Sequence, residues 1–227
     1  PTTAGTGSEV SIGAVIWDRA NNGKWGVRTP NAYAEYAVVD PDLTLSLPRD
    51  QTISTALDAM SHALDSIWTV KRTLVTQPIA AQAAREVLKY LPALSDDLGN
   101  IDLRTRIANA AMLAGIALSQ TRTSIAHKMS YPLTMHHGVP HGIACGFSLP
   151  MIMEWAIGHD EICDQGLADV FGDDLSAGVK KFESFMDDLG VARDPTAHGP
   201  SQADWDGWLA AAMQDAKGKT FLGKVPV

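Results

Sequence analysis

From Ile53 onward apolar residues recur at three- and four-residue spacing. Ile53, Ala56, Leu57, Met60, Ala63, Leu64, Ile67 and Trp68 form a stripe that predicts an amphipathic helix starting near Asp50. Asp58, His62 and Asp65 fall at i, i+4 and i+7 on a different face, so the stripe is expected to pack inward while this polar face lines a cleft. Ile79, Ala83, Val87 and Leu91 predict a second helix over 77–91, with Pro78 in its first turn. Asp102 is the expected cap of a third, which buries Leu103, Ile107, Ala110, Ala114 and Ala117; its small residues imply a close helix contact. A fourth helix is expected to carry His127 near its end and to be disturbed by Pro132, before a Gly- and Pro-rich turn leads to His141. Later helices are predicted over 149–157, over 175–189 with Gly190 as the stop, and after a cap at Ser201, the last bearing Trp205, Trp208 and Met213.

The first 47 residues read differently. Val10 to Trp17 and Tyr36 to Val39 predict two short strands, with a hairpin-like turn at Asn21-Asn-Gly23 between them. Pro41 and Pro48 punctuate the passage into the helices. The expected class is mainly α, in two parts: residues 1–48 with the strands, whose sheet edges are left open, and residues 49–227 all helical.

Composition narrows the options. With 45% hydrophobic and 19% charged residues the chain has the balance of an ordinary globular protein. A net charge of −8 argues against nucleic acid as a partner. No apolar run approaches the roughly 20 residues that span a bilayer, and no signal peptide is recognisable. Cys145 and Cys163 are isolated thiols that make no disulfide framework, which points to a reducing cytoplasm; Cys145 has no basic neighbour in sequence and reads as packing.

The chemistry concentrates in two spaced pairs. Asp58 and His62 project from one helical face a turn apart, while His127 and His141 bracket a fourteen-residue interval that ends in a Gly138-Val-Pro-His-Gly142 turn. One oxygen and three nitrogen donors suit Fe(II) or Zn(II) with a coordination position left open. Read one by one, the same histidines are equally satisfied as buried core residues, and such a donor set also suits a metallohydrolase.

The order of blocks adds to this. The chain opens Pro1-Thr-Thr-Ala-Gly-Thr-Gly-Ser-Glu9, continues through Val39-Asp-Pro-Asp-Leu-Thr-Leu-Ser-Leu-Pro48 and Asp58-Ala-Met-Ser-His62, and then reaches His127 and the His141 turn. In this order it resembles the iron-containing (group III) alcohol dehydrogenases, whose helical metal-binding domain shares its fold with dehydroquinate synthase. Ser130-Tyr-Pro-Leu-Thr134 and the segment from His137 to Cys145 look most like the phosphonoacetaldehyde reductase branch. The resemblance implies an NAD- or NADP-linked, metal-dependent reductase of a small aldehyde, homo-oligomeric in its full-length form, with a glycerol-type polyol dehydrogenase or a catalytically incomplete metal-binding fragment as alternatives. It assigns Asp58, His62, His127 and His141 to the metal, and Thr2, Thr3, Thr6, Ser11 and Lys24 to the dinucleotide. It also implies an upstream nucleotide-binding half with a Gly-Gly-Gly-Ser-type loop, which this sequence does not contain, so the strands read as its remnant. Where many members carry a second histidine, four residues after the first of the later metal pair, this chain has Tyr131, the candidate proton-relaying group; His136 and His137 are the nearby substitutes. For an anionic substrate tail, Lys128 and Arg122 are the nearest cations in sequence.

Overall fold

The computed structural model describes residues 1–21 and 23–225. Among these residues the helices are α1 (Arg49–Ile67), α2 (Thr76–Asp96), α3 (Ile101–Thr121), α4 (Ile125–His136), α5 (His141–Gly146), α6 (Leu149–Ala156), α7 (Glu161–Phe171), α8 (Leu175–Asp188) and α9 (Gln202–Gln214). A single antiparallel hairpin, β1 (Gly13–Asp18) and β2 (Gly23–Arg28), precedes them. The mainly α expectation therefore holds. No helix among the described residues is long and apolar enough to cross a membrane.

Helix α1 is the axis. From Thr52 to Ile67 every residue except Thr55 is buried, because α2, α3 and α5 all pack against it. The polar face expected to line a cleft is instead enclosed: Asp58 and His62 are 5% exposed and Asp65 is 0% exposed. The apolar stripe was sound, but it describes only one of the faces that α1 buries.

Two close approaches hold this arrangement. Gly142 and Gly146 lie four apart on α5 and face α1; a Cβ at Gly142 would overlap the Ser54 carbonyl, and one at Gly146 would lie 2.9 Å from the Leu57 Cβ. In the same way, Gly7 in the opening loop (φ 58°) meets Gly115 of α3 backbone to backbone. Buried Arg104 adds a polar tie, donating to Leu98 O, Leu47 O and Thr52 Oγ1 at 2.9, 3.1 and 2.9 Å. It pins the start of α3 to the start of α1.

Several element predictions need correction. The second strand is Gly23–Arg28, not Tyr36–Val39, and Tyr36 and Val38 are exposed with no neighbouring strand among the described residues. The turn prediction was well placed, although Asn22 itself lies outside the described residues. The cap of α3 is Asn100, whose side chain accepts from the Leu103 amide at 3.1 Å; Asp102 sits in the first turn, where its charge favours the helix dipole. His127 is near the start of α4 rather than its end, and Pro132 is absorbed within a helix that continues to His136. Helix α2 extends to Asp96. Helix α7 was not anticipated, since Gly166 interrupts its apolar face of Cys163, Leu167, Val170 and Phe171. The stop at Gly190 (φ 74°) and the cap at Ser201 are as expected, and Asp204 completes a capping box at the latter.

The chain's last described segment returns to the axis. Thr69 bridges to Phe221, Val70 N donates to Thr220 O at 2.8 Å and Leu222 N to Trp68 O at 2.9 Å. The turn before it is thereby fixed beside α4.

Replacing Gly142 by alanine is expected to push α5 off α1 and to cost about 3 kcal/mol, at the upper end for overpacking. Urea unfolding of the variant measures this directly; a loss below a few tenths of a kcal/mol would mean the two helices are not held at this distance.

Candidate active site

Three elements bring the four predicted donors together. Asp58 and His62 come from α1, His127 from the first turn of α4, and His141 from the first residue of α5. Asp58 Oδ1 lies 3.5 Å from His62 Nε2, 3.4 Å from His127 Nε2 and 3.9 Å from His141 Nε2. Donors about 2.1 Å from one tetrahedral ion stand about 3.4 Å apart, so the edges match. The His62 and His127 rings stack at 4.7 Å, and the His141 ring meets His127 edge-on at 5.6 Å. Asp58 Oδ1 and His127 Nε2 are both fully buried without a hydrogen-bond partner. Orphaned polar atoms at such depth call for a missing ion or water, and here they face each other.

Asp65 supplies the orientation. Its Oδ2 accepts from His127 Nδ1 at 2.9 Å and from Ser124 N at 2.8 Å, and its Oδ1 accepts from Trp68 Nε1 at 2.9 Å. A proton held on Nδ1 leaves the Nε2 lone pair of His127 free to point at Asp58. The sequence placed Asp65 on the right face but gave no hint of this role, because its partner is 62 residues away.

Charge in the cluster follows from burial and close contact. Burial pushes the Asp58 carboxyl up, but the imidazoles, His62 first, outweigh it and hold the group well below the usual carboxylate range. Burial lowers His62 to about 4, so its ring is neutral near pH 7. Burial also opposes charge on His127, yet Cys145, Asp58 and Asp65 together raise it.

Cys145 is not simple packing, which corrects the reading from its sequence neighbours. It lies one turn after His141 on α5, and it joins Asp58, His127 and His141 in a group of possible ligand atoms all within 4.8 Å of one another. Burial raises its thiol, but His127 and His141 bring it down to about 6. The basic partners are spatial neighbours from two helices. Its Sγ stands 3.8 and 3.7 Å from the two ring nitrogens of His141, almost equidistant and hence off the lone-pair axis of either.

Tyr131 lies one turn beyond His127 on α4. Its hydroxyl accepts from Lys217 Nζ, and Lys24 Nζ sits 3.1 Å from its ring centroid. Trp17 meets both Tyr131 and His141 edge-on, at 6.1 and 5.8 Å. Trp17 and Lys24 are directly paired across the hairpin, which is why both reach this spot. Burial raises the Tyr131 phenol, but Lys217 and then Lys24 outweigh it and lower it.

The other predicted residues are elsewhere. The loop of Thr2, Thr3 and Thr6 rests on α1 and α3 through Gly5 and Gly7, and Thr2 and Thr6 are exposed; Ser11 is half-buried just before β1. His136 and His137 are exposed at the far end of α4, with His137 against Trp208. Lys128 pairs with Asp215 at 3.0 Å and stands 5.8 Å from the Tyr131 ring centroid, and Arg122 is exposed, so the cations nearest Tyr131 are Lys24 and Lys217. Lys217 had no sequence signal, being 86 residues from its partner.

Comparison with known proteins places the chain in a family and agrees with its fold. Residues 52–222 match the Fe-containing alcohol dehydrogenase family, C-terminal, and residues 1–41 match iron-containing alcohol dehydrogenase. The chain is 32% identical over 158 residues to the 1-propanol dehydrogenase PduQ of Salmonella typhimurium, covering 70% of this chain and 43% of the relative. It is 31% identical over 155 residues to the phosphonoacetaldehyde reductase of Streptomyces viridochromogenes, covering 68% and 39%. The solved sulfoacetaldehyde reductase of Bifidobacterium kashiwanohense, in complex with NAD+, superposes with a TM-score of 0.91 at 27% identity over 100% of this chain and 60% of its own. The chain thus spans about half the length of the relatives it matches. By fold, by family match and by the order of its sequence blocks, the chain belongs to the iron-containing alcohol dehydrogenase family.

Proposed function

We propose that this chain is the metal-holding part of a nicotinamide-linked dehydrogenase that interconverts a small aldehyde and its alcohol. The observation that carries the reading is the pair of buried, partnerless atoms Asp58 Oδ1 and His127 Nε2, 3.4 Å apart, with two further imidazoles converging on the same carboxylate oxygen. The donors are Asp58, His62, His127 and His141. His62 is preferred to Cys145 as the fourth, because its Nε2 faces Asp58 Oδ1 at 3.5 Å while the thiol lies to the side of the His141 lone pairs. Family membership favours Fe(II) over Zn(II), which the same donors accept. When bound, the divalent ion supplies Lewis-acid stabilisation of negative charge on the substrate oxygen, and a nicotinamide supplies the hydride.

The chain's own residues do the rest. The imidazoles and Asp58 keep their donors free because Asp65 holds the His127 proton on the far nitrogen. Tyr131, activated by Lys217, donates a proton toward the substrate oxygen or a water beside it. Thr2, Thr3, Thr6, Ser11 and Lys24 serve the dinucleotide, NAD being favoured by the NAD+-bound relative. Residues 1–48 complete a nucleotide-binding part and 49–227 form the metal-binding part. Phosphonoacetaldehyde is the substrate reading that the similarity to a phosphonoacetaldehyde reductase supports.

Two measurements test this. Purified wild-type chain is expected to hold about one divalent ion, the His62→Ala/His141→Ala double variant to lose it, and Asp65→Asn to bind it about 10- to 100-fold more weakly by removing the orienting carboxylate. Full metal content in the double variant, by atomic emission, would end the proposal. In the full-length protein, Tyr131→Phe is expected to lower turnover on the order of 10²-fold with metal content unchanged; unaltered turnover would return Tyr131 to packing.

A further inference from the structure

Lys217 is the cation that the reading so far leaves only half used. Its ammonium donates to Tyr131 Oη, one of three donors it carries, so two N–H groups stay available. It is half-buried, and no carboxylate among the described residues pairs with it or with Lys24. The backbone places it firmly. Its own N–H donates to Asp215 Oδ1 at 2.9 Å, and its carbonyl accepts from Thr220 Oγ1 at 2.7 Å. Thr220 is in turn joined to the start of α4 through Ser124 Oγ at 3.4 Å, and Lys128 of α4 clamps Asp215 at 3.0 Å. The basic residue nearest the site in sequence therefore holds the turn, while the turn's own lysine reaches the site.

Three ammonium groups lie around one phenol, Lys24, Lys217 and Lys128, and only Lys128 has an ion-pair partner among the described residues, Asp215, so a chain of net charge −8 carries a local excess of positive charge here. Lys24 is assigned above to the dinucleotide, whereas Lys217 has so far only its bond to Tyr131. From these placements we infer that Lys217 reads a negatively charged tail on the aldehyde, with its two free N–H donors on a sulfonate or phosphonate oxygen and Tyr131 holding the ammonium in position. Tyr131 lies about one helical turn beyond His127 on α4, so the ammonium it holds stands beside the proposed metal donors. Charge-assisted bonds in a site shielded by Trp17 give such a tail its selectivity over a methyl group of similar size. This rests on the proposed aldehyde chemistry and names its substrate class.

The experiment compares the full-length wild type with two variants of one position, Lys217→Met and Lys217→Arg. Specificity is read as the ratio of kcat/KM for sulfoacetaldehyde to that for propanal. Methionine is expected to lower this ratio on the order of 10- to 100-fold, mainly through KM, and arginine to restore most of it. An equal fall for both aldehydes would overturn the inference and leave Lys217 acting only through Tyr131. Calorimetric titration with ethanesulfonate, which needs no turnover, gives a second readout: binding to wild type should weaken at least about 10-fold in Lys217→Met. Unchanged ethanesulfonate affinity in that variant would also overturn it. If no aldehyde is reduced but ethanesulfonate binding still depends on Lys217, the dehydrogenase proposal fails and the anion site stands.

Discussion

Two carboxylates buried in one helix, with no lysine or arginine paired to either, set the terms for this structure. Asp58 and Asp65 are 5% and 0% exposed, and their only charged partners among the described residues are histidines. Leaving charge at that depth is costly unless it is compensated. Asp65 meets the demand with three hydrogen bonds: a backbone amide, an indole and an imidazole. Asp58 does not, since its Oδ1 lacks any such bond. The imbalance between two carboxylates on one helix fits the proposed division, with Asp58 as a ligand and the more deeply buried Asp65 as its support. The divalent cation of the proposed function would answer the deficit in both charge and size.

The scaffold is organised around keeping that helix enclosed. Glycines at 142 and 146 let α5 lie against α1, and this places His141 at the first position of its helix, within reach of Asp58. Helix α4 enters beside it with Ser124 N bonded to Asp65, so the bond that orients His127 also anchors the start of its helix. One carboxylate thus couples local chain direction to donor geometry. Displacement of α4 would break both together.

What the sequence made legible follows this division. The α1 stripe and the Asp58–His62 spacing are properties of one helix and could be read from residues 53–68 alone. The union of Asp58 with His127 and His141 came from block order, not from local pattern, because nothing near residue 127 states which helix it will face. Asp65, Cys145 and Lys217 escaped for the same reason. Each acts through partners from other helices: Asp65 through α4, Cys145 through His127, Lys217 through Tyr131. The strand at 36–39 was misplaced by β propensity in a segment with no partner, whereas the Trp17–Lys24 pairing of the real hairpin has a cross-strand cation–ring contact at 4.5 Å to hold it.

Charge is therefore arranged in two zones of opposite sign. The enclosed centre is anionic and answered by imidazoles; the neighbouring collar of Lys24 and Lys217 is cationic and answered by the Tyr131 phenol and the Trp17 ring, with no carboxylate paired to either lysine among the described residues. Burial lowers the Lys24 ammonium, and Lys217, which shares its aromatic partner, lowers it further. A collar built only to pack would use apolar side chains, as the Trp17 edge against His141 does. Keeping two cations there against their mutual repulsion makes sense when an anion completes the set. On the proposed reading the dinucleotide accounts for one, and a substrate that brings its own negative charge for the other.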